Sequence, residues 1–147
     1  MSREVFPPAA QCPLNTTILI VEDDEAVGHF LQQLIEEDTP YDTVLIEDGQ
    51  TALEKAPQIH PCLMLLDYRL PDINGLELYD RLQARGEVRG MPTIMMSATL
   101  PVEELEKRDI YQLKKPMDIG SVIRMITHAL ASYEEKQLEE KQLQEQH

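Results

Sequence analysis

Residues 62–75 read CLMLLDYRLPDING and carry the strongest structural signal in the chain. The five apolar residues at 62–66 predict a strand buried on both faces, which is typical of a parallel sheet. Asp67 follows the last of them directly. Open α/β folds bind their ligands beyond the carboxyl ends of the parallel strands. Asp67 is therefore predicted to lie at a ligand-binding edge. The alternative is that it only caps a turn with Pro71 and Gly75.

A second apolar run ends in acids in the same way. Residues 18–21 (ILIV) are followed by Glu22, Asp23 and Asp24. Two parallel strands that end at one edge would bring these carboxylates close to Asp67, so the sequence predicts a concentrated negative pocket. The alternative is that the three acids only cap and begin the next helix, whose N-terminus favours negative charge. Asp24 is expected to do only that.

The rest of the chain alternates strand and helix patterns. Predicted strands cover residues 17–21, 43–46, 62–66, 93–96 and 110–113. Predicted helices cover about residues 25–37, 50–56, 75–85 and 102–107, and a last helix starts near residue 118. The third helix is expected to bury Leu76, Tyr79 and Leu82. The second helix is expected to end before Pro57. The fourth should be short or irregular, with Leu100, Val102 and Leu105 as its apolar anchors. Such alternation predicts a doubly wound α/β domain, a five-stranded parallel sheet with helices on both faces.

Composition bounds the domain organisation. With 147 residues, 42% of them hydrophobic, the chain can build one compact core. We expect a disordered lead at residues 1–15, one domain at residues 16–132, and an exposed helical extension at residues 133–147. The extension is rich in Glu, Gln and Lys, which are good helix formers.

Charge and cysteine content exclude several classes of function. Thirteen basic against 27 acidic residues give a net charge of −14, which argues against binding to nucleic acid or to anionic membranes. No apolar stretch reaches the roughly 20 residues that a membrane span needs. The two cysteines are too few for a disulfide framework, so we expect a cytoplasmic protein.

Two later strand ends add a hydroxyl and a cation. Ser97 follows the predicted fourth strand, and Lys114-Lys115-Pro116 follows the fifth. With the acids of the first and third strands, these residues resemble, in order and type, the response-regulator receiver domains of two-component signalling. The resemblance covers about residues 16–131. It implies a flavodoxin-like fold of the CheY type.

The resemblance also implies a metal site. Crowded carboxylates repel one another unless a cation neutralises them, and Mg²⁺ prefers such oxygen ligands. Family likeness implies that Asp23 and Asp67 bind Mg²⁺ directly, that Glu22 acts through water, and that Arg69 contributes its backbone carbonyl. Mn²⁺ can substitute.

Asp67 is then implied as the phosphoacceptor, forming an aspartyl-phosphate. Ser97 would donate its hydroxyl to the phosphoryl group, and Lys115 would pair with that group's charge. Since strand side chains alternate faces, only one of Lys114 and Lys115 can reach the pocket. We choose Lys115 because it precedes Pro116, and the resemblance implies that this Lys–Pro bond is cis.

Residue 112 departs from the family pattern. Receivers carry an aromatic switch residue three positions before the lysine, whereas this chain has Gln112, with Tyr111 expected on the opposite face. A degenerate receiver that acts only as a protein-interaction module, with an atypical output surface, is therefore the main alternative.

Enzyme classes fit less well. A haloacid-dehalogenase-type phosphatase needs a second aspartate two residues after its nucleophile, and this chain has Arg69 there. A nucleotide-binding protein needs a Gly-rich loop after a strand, and acids follow Val21 instead. We expect no turnover enzyme, at most slow self-catalysed phosphorylation and dephosphorylation.

The implied partners are a histidine kinase or histidine phosphotransfer protein as donor, and a downstream protein target. The chain is either a stand-alone receiver or a fragment of a larger regulator or hybrid kinase. Because the apolar pattern of the last helix fades after Tyr133, we expect a monomer or a weak homodimer.

Overall fold

The computed structural model describes residues 16–88, 90–99 and 101–145. Within these residues, five strands form one parallel sheet: β1 (Thr17–Val21), β2 (Asp42–Ile46), β3 (Leu63–Asp67), β4 (Thr93–Ser97) and β5 (Tyr111–Lys114). Their order across the sheet is β2-β1-β3-β4-β5. The helices are α1 (Glu25–Asp38), α2 (Gly49–Ile59), α3 (Gly75–Ala84), α4 (Val102–Lys107) and α5 (Ile119–Glu145), with a short 3₁₀ turn at Gly86–Val88. The predicted doubly wound fold is confirmed.

Two apolar cores lie on the two faces of the sheet. Every residue of β3 is buried, as are all but the first residue of β1. Ile18 and Leu65 face the core beneath α1 and α5, whereas Leu19 and Met64 face the core beneath α2, α3 and α4. Side chains alternate faces along a strand, so a continuous apolar run fills both cores at once.

The predicted helix α2 is longer than expected. It continues to Ile59 with Pro57 inside its last turn, so the expectation that it ends before Pro57 was wrong. Proline removes one backbone donor, which costs little near a helix end. The helix ends at His60, whose φ of 53° is left-handed and whose N–H donates to the Ala56 carbonyl at 3.1 Å.

The inward face of α3 differs from the expected one. Leu78 and Leu82 are fully buried, while Leu76 and Tyr79, predicted as core residues, are only partly buried. Residues three and four positions apart share a helix face, and the sequence pattern permits either neighbouring face to turn inward.

The six-residue helix α4 is as short as predicted. Leu105 anchors it in the core, but Val102 is exposed, and Leu100 lies outside the described residues. Arg108 ties α4 to α3, with Nε 2.8 Å from Asp80 Oδ1 and Nη1 2.9 Å from the Glu104 carbonyl oxygen. This fork was missed, because its partners are 28 residues apart.

Helix α5 extends past the sheet. Its 27 residues span about 40 Å at 1.5 Å per residue. Val122, Ile126 and Ala129 are buried, and the side chains of residues 134–145 are exposed. The division into a lead, a domain and an extension remains a prediction, and the proposed lead at residues 1–15 lies outside the described residues. Within those residues, no helix has the length and apolar character that a bilayer span requires.

Candidate functional site

Three carboxylates meet at the carboxyl edge of the sheet. Since β1 pairs with β3, the residues after Val21 lie beside Asp67. Glu22, Asp23 and Asp67 each offer one oxygen, and these oxygens lie within 4.8 Å of one another. Glu22 is fully buried and Asp67 is 4% exposed, while Asp23 is open to solvent. The predicted acidic pocket is present.

Backbone hydrogen bonds fix the two loops that carry the acids, the loop after β1 and the loop after β3. The Glu22 N–H donates to the Ile46 carbonyl of β2 at 3.0 Å, and the Gly75 N–H donates to the Tyr68 carbonyl at 2.7 Å. A Cβ at Gly75 would lie 2.7 Å from the Asp67 carbonyl oxygen and 2.6 Å from Met95 Sδ. Glycine is therefore required where α3 begins, because any side chain would push against the Asp67 backbone.

Asp24 has a local role. It is the N-cap of α1, and its Oδ1 accepts hydrogen bonds from the N–H groups of Ala26 and Val27 at 2.9 and 3.2 Å. The expectation that Asp24 only caps the helix agrees with these contacts. Glu22 is not a cap of that kind, since its side chain faces the pocket and binds a lysine.

Lys115 reaches the pocket from β5, and Lys114 is exposed. Lys115 Nζ lies 2.7 Å from Glu22 Oε1 and 3.5 Å from Asp67 Oδ1. The Lys115 N–H donates to the Ser97 carbonyl at 2.9 Å, and the Lys115–Pro116 bond is cis. The ammonium group thus pairs more closely with Glu22 than with Asp67.

Ser97 and Arg69 flank Asp67. Ser97 ends β4, the strand next to β3, and is buried, and its Oγ accepts a hydrogen bond from the Thr99 N–H at 3.2 Å. The backbone N–H of Arg69 lies 3.4 Å from Asp67 Oδ1, while the Arg69 side chain is exposed. The structure therefore brings every predicted site residue to one edge of the sheet.

The pocket raises the pKa of Asp67. Burial is the largest cause, followed by the hydrogen bond to Glu22 and the charge of Glu22. These effects outweigh the Lys115 ammonium and the Arg69 N–H and raise the pKa of Asp67 to about 7. Burial alone would lower the pKa of Lys115, but the carboxylates of Glu22 and Asp67 raise it above its ordinary value. Lys115 therefore stays charged, but its single positive charge is too little to balance the carboxylates of the pocket.

The donor set fits a hard divalent cation. Its oxygens are all carboxylate oxygens, which suit Mg²⁺ and Mn²⁺ better than softer metals. Three carboxylates against one ammonium leave the site two negative charges in excess when all are ionised. One divalent cation would neutralise that excess.

We expect metal binding to weaken at low pH. Because the Asp67 pKa is about 7, a proton competes with the cation for this carboxylate as the pH falls. About tenfold weaker Mg²⁺ affinity is expected at pH ~6 than at pH ~8, as measured by calorimetric titration. Equal affinities at the two pH values would contradict a metal role for Asp67.

One residue near the site was missed. Asp72 follows Pro71 in the loop after Asp67, and its side chain accepts hydrogen bonds from the N–H groups of Gly49 and Gln50 at the start of α2. No local pattern reveals such a contact, because a helix cap is normally sought in the residues that directly precede the helix.

Comparisons with known proteins agree with this architecture. The polar-differentiation response regulator DivK of Brucella ovis is 35% identical over 85 residues, which are 58% of this chain and 68% of DivK. A protein-glutamate methylesterase/protein-glutamine glutaminase of Trichodesmium erythraeum is 34% identical over 120 residues, 76% of this chain but only 33% of that protein.

Solved structures share the fold. A CheY-like receiver domain protein of Methanospirillum hungatei has a TM-score of 0.74 at 25% identity, covering 83% of this chain and 98% of its own. The chemotaxis response regulator CheY4 of Vibrio cholerae has a TM-score of 0.73 at 18% identity, covering 79% and 99%.

A family model assigns most of the folded chain. The model of the response regulator receiver domain matches residues 18–127, which include all the site residues described above. Such domains serve two-component signal transduction and are not turnover enzymes, as expected from the sequence. The chain belongs to the response regulator receiver domain family.

Proposed function

We propose that this chain accepts a phosphoryl group on Asp67, from a histidine kinase or a histidine phosphotransfer protein, in a step that requires Mg²⁺ or Mn²⁺. The phosphorylated form is then recognised by a downstream protein. One observation carries the proposal: Asp67 lies within a 4.8 Å cluster of three carboxylate oxygens and 3.5 Å from the Lys115 ammonium.

The transfer step needs one nucleophile. An Asp67 carboxylate oxygen attacks phosphorus, and the new O–P bond forms as the P–N bond of the donor phosphohistidine breaks. The imidazole nitrogen keeps the bonding electron pair and takes a proton from solvent. When bound, the cation supplies positive charge that offsets the carboxylates and the phosphoryl oxygens. Glu22, Asp23, Asp67 and the Arg69 carbonyl would hold it.

Lys115 and Ser97 act on the product. Lys115 Nζ is already 3.5 Å from Asp67 Oδ1, so it can leave Glu22 and pair with a phosphoryl oxygen. Ser97 Oγ accepts a hydrogen bond in this structure, and its own proton is available to donate to the phosphoryl group. These exchanges would favour a second conformation, which a partner binds by population shift.

An apolar groove beside the site suits a donor protein. It has a volume of about 420 Å³ and is lined by Val27, Phe30, Ala98, Lys115, Pro116 and Met117. Phe30 on α1 is 38% exposed, so the groove offers an aromatic ring that a partner protein can contact. The groove shares Lys115 with the pocket, so a helix lying in it would hold its histidine near Asp67. A histidine kinase would donate its phosphoryl group in the cytoplasm, and a cytoplasmic location is part of this proposal.

A degenerate receiver is the second candidate. Gln112 replaces the aromatic switch on β5, and the Arg108 fork holds α4 against α3 through Asp80. Both features favour a receiver whose partner surface does not respond to the pocket. Beryllofluoride, a stable phosphoryl mimic, separates the candidates by amide chemical shifts. Changes on α4 or β5 support switching, and changes confined to the pocket support the degenerate form.

The phosphoacceptor role is tested with labelled acetyl phosphate as a small donor. Label should enter the protein with Mg²⁺ present and be absent with a chelator. A phosphohistidine protein serves as the second donor, against wild type and Phe30→Ala. The Phe30→Ala substitution should slow phosphoryl transfer from the protein donor severalfold and leave the rate of transfer from acetyl phosphate unchanged. No label from either donor would refute the proposal, and equal slowing with both donors would refute the docking groove.

A further inference from the structure

The loop after Asp67 is joined to the start of α2 by one side chain. Asp72 Oδ1 accepts from the Gly49 N–H at 2.9 Å, and Oδ2 accepts from the Gln50 N–H at 2.8 Å. Oδ1 also accepts from the N–H of Ile73 at 3.0 Å, within the same loop. One carboxylate therefore binds donors from two segments that are more than 20 residues apart in sequence.

Asp72 is not the residue that caps α2 in the ordinary way. Asp48 is the N-cap, and its Oδ2 accepts from the Thr51 N–H at 2.8 Å. The two acids divide the free donors of the first helical turn between them. Only Asp72 belongs to the loop that carries the phosphoacceptor, so its contacts do more than end a helix.

Close packing also connects the loop after Asp67 to the start of α2. A Cβ at Gly49 would lie 2.6 Å from Ile73 Cγ1 and 3.2 Å from Asp72 Oδ1. The loop thus rests directly on the α2 backbone, and only glycine at position 49 permits this approach. The hydrogen bonds and the packing together leave the loop little freedom at residues 72 and 73.

The junction between β2 and α2 also holds the other acidic loop. The Ile46 carbonyl at the end of β2 accepts from the Glu22 N–H at 3.0 Å, and Gly49 lies three residues further along. The segment at residues 46–50 therefore contacts both loops that present carboxylates. Three carboxylates that repel one another need such external support to stay within 4.8 Å.

We propose that Asp72 is a positioning residue for the phosphorylation site: by fastening the loop after Asp67 to the start of α2, it holds Asp67 and the Arg69 backbone in place to bind the divalent cation. The inference rests on the proposed function. Groups that orient metal ligands without touching the metal typically change metal affinity by about 10- to 100-fold when removed.

The test compares two helix-cap variants, Asp72→Ala and Asp48→Ala. Each removes acceptors from the first turn of α2, but only Asp72→Ala releases the loop after Asp67. We expect Asp72→Ala to weaken Mg²⁺ binding about tenfold and Asp48→Ala to weaken it less than about threefold, in amide-shift titrations. Both should lower Tm by similar amounts. Asp72→Asn keeps one acceptor oxygen and should be intermediate.

A second readout separates positioning from stability. In Asp72→Ala, the amide resonances of Tyr68 and Arg69 should shift or broaden before metal is added, and the Gly49 and Gln50 amides should exchange faster with solvent. If Asp72→Ala unfolds, Asp72→Asn carries the comparison. Wild-type affinity in the Asp72 variants, or equal weakening in the Asp48 variant, would overturn the inference. Failure of wild type itself to bind Mg²⁺ would instead refute the proposed function.

Discussion

Asp67→Asn is expected to abolish phosphoryl acceptance, with label incorporation falling by more than about 1,000-fold, as when a covalent nucleophile is removed. An amide has no free carboxylate oxygen to attack phosphorus, while its size and position are almost unchanged. Beryllofluoride binding in the presence of Mg²⁺ should be lost as well. Phosphoryl incorporation is measured by label from acetyl phosphate, and beryllofluoride by ¹⁹F NMR.

The same substitution should stabilise the metal-free protein. The folded-state pKa of Asp67, about 7, lies above its ordinary value of 3.8. The stability that the folded protein gains by holding Asp67 protonated is therefore fully present below pH ~3.8, and it is lost as the pH rises through ~7. At pH ~8 the ionised carboxylate is unfavourable, so Asp67→Asn should gain on the order of 2 kcal/mol in free energy of unfolding without Mg²⁺.

Asp42→Asn is the matched control. Asp42 is exposed at the start of β2, away from the acidic edge, and its replacement changes the net charge by the same amount. We expect wild-type labelling and a stability within about 0.5 kcal/mol of wild type. If Asp67→Asn still binds beryllofluoride, or if both variants gain equally in stability, the assignment of Asp67 is wrong.

The second large effect is expected for Lys115→Met, which should destabilise the protein. Lys114→Met is its control. Lys115 is the cation that contacts the fully buried Glu22, and breaking a buried pair costs about 3–5 kcal/mol. Since 24% of the Lys115 side chain is exposed, solvent reduces that cost, and we expect a loss of about 2 kcal/mol at pH ~8 without metal. Urea unfolding measures it.

Metal should compensate this loss. Mg²⁺ brings positive charge to the same carboxylates, so saturating Mg²⁺ should narrow the stability difference between Lys115→Met and wild type. Labelling should nevertheless fall on the order of 100-fold, because no ammonium remains to stabilise the phosphoryl charge. Lys114 is exposed, and Lys114→Met should change stability by less than about 0.5 kcal/mol. Similar behaviour of the two variants would show that Lys115 does not serve the pocket.

Local sequence patterns predicted the fold and the meeting of the three acids, and the resemblance to receiver domains implied the other site residues. Apolar runs at 18–21 and 62–66 specify strands buried on both faces, and an alternation with helices leads to a parallel sheet. Because parallel strands end at a common edge, residues that directly follow them must meet there. Strand periodicity alone therefore predicts that Glu22, Asp23 and Asp67 lie close together.

Contacts between distant segments were decided only by the tertiary structure. Three side-chain contacts join residues that are far apart in sequence. Lys115 pairs with Glu22 at a separation of 93 residues, Asp72 accepts from the Gly49 N–H at 23, and Arg108 pairs with Asp80 at 28. Pro57 is accepted within α2, and Leu78 turns inward where Tyr79 was expected. Periodicity predicts which face or edge a residue occupies, because side-chain direction along a strand or helix follows from local backbone geometry. Which partner that residue meets depends on how rigid elements pack, and no local pattern contains that information.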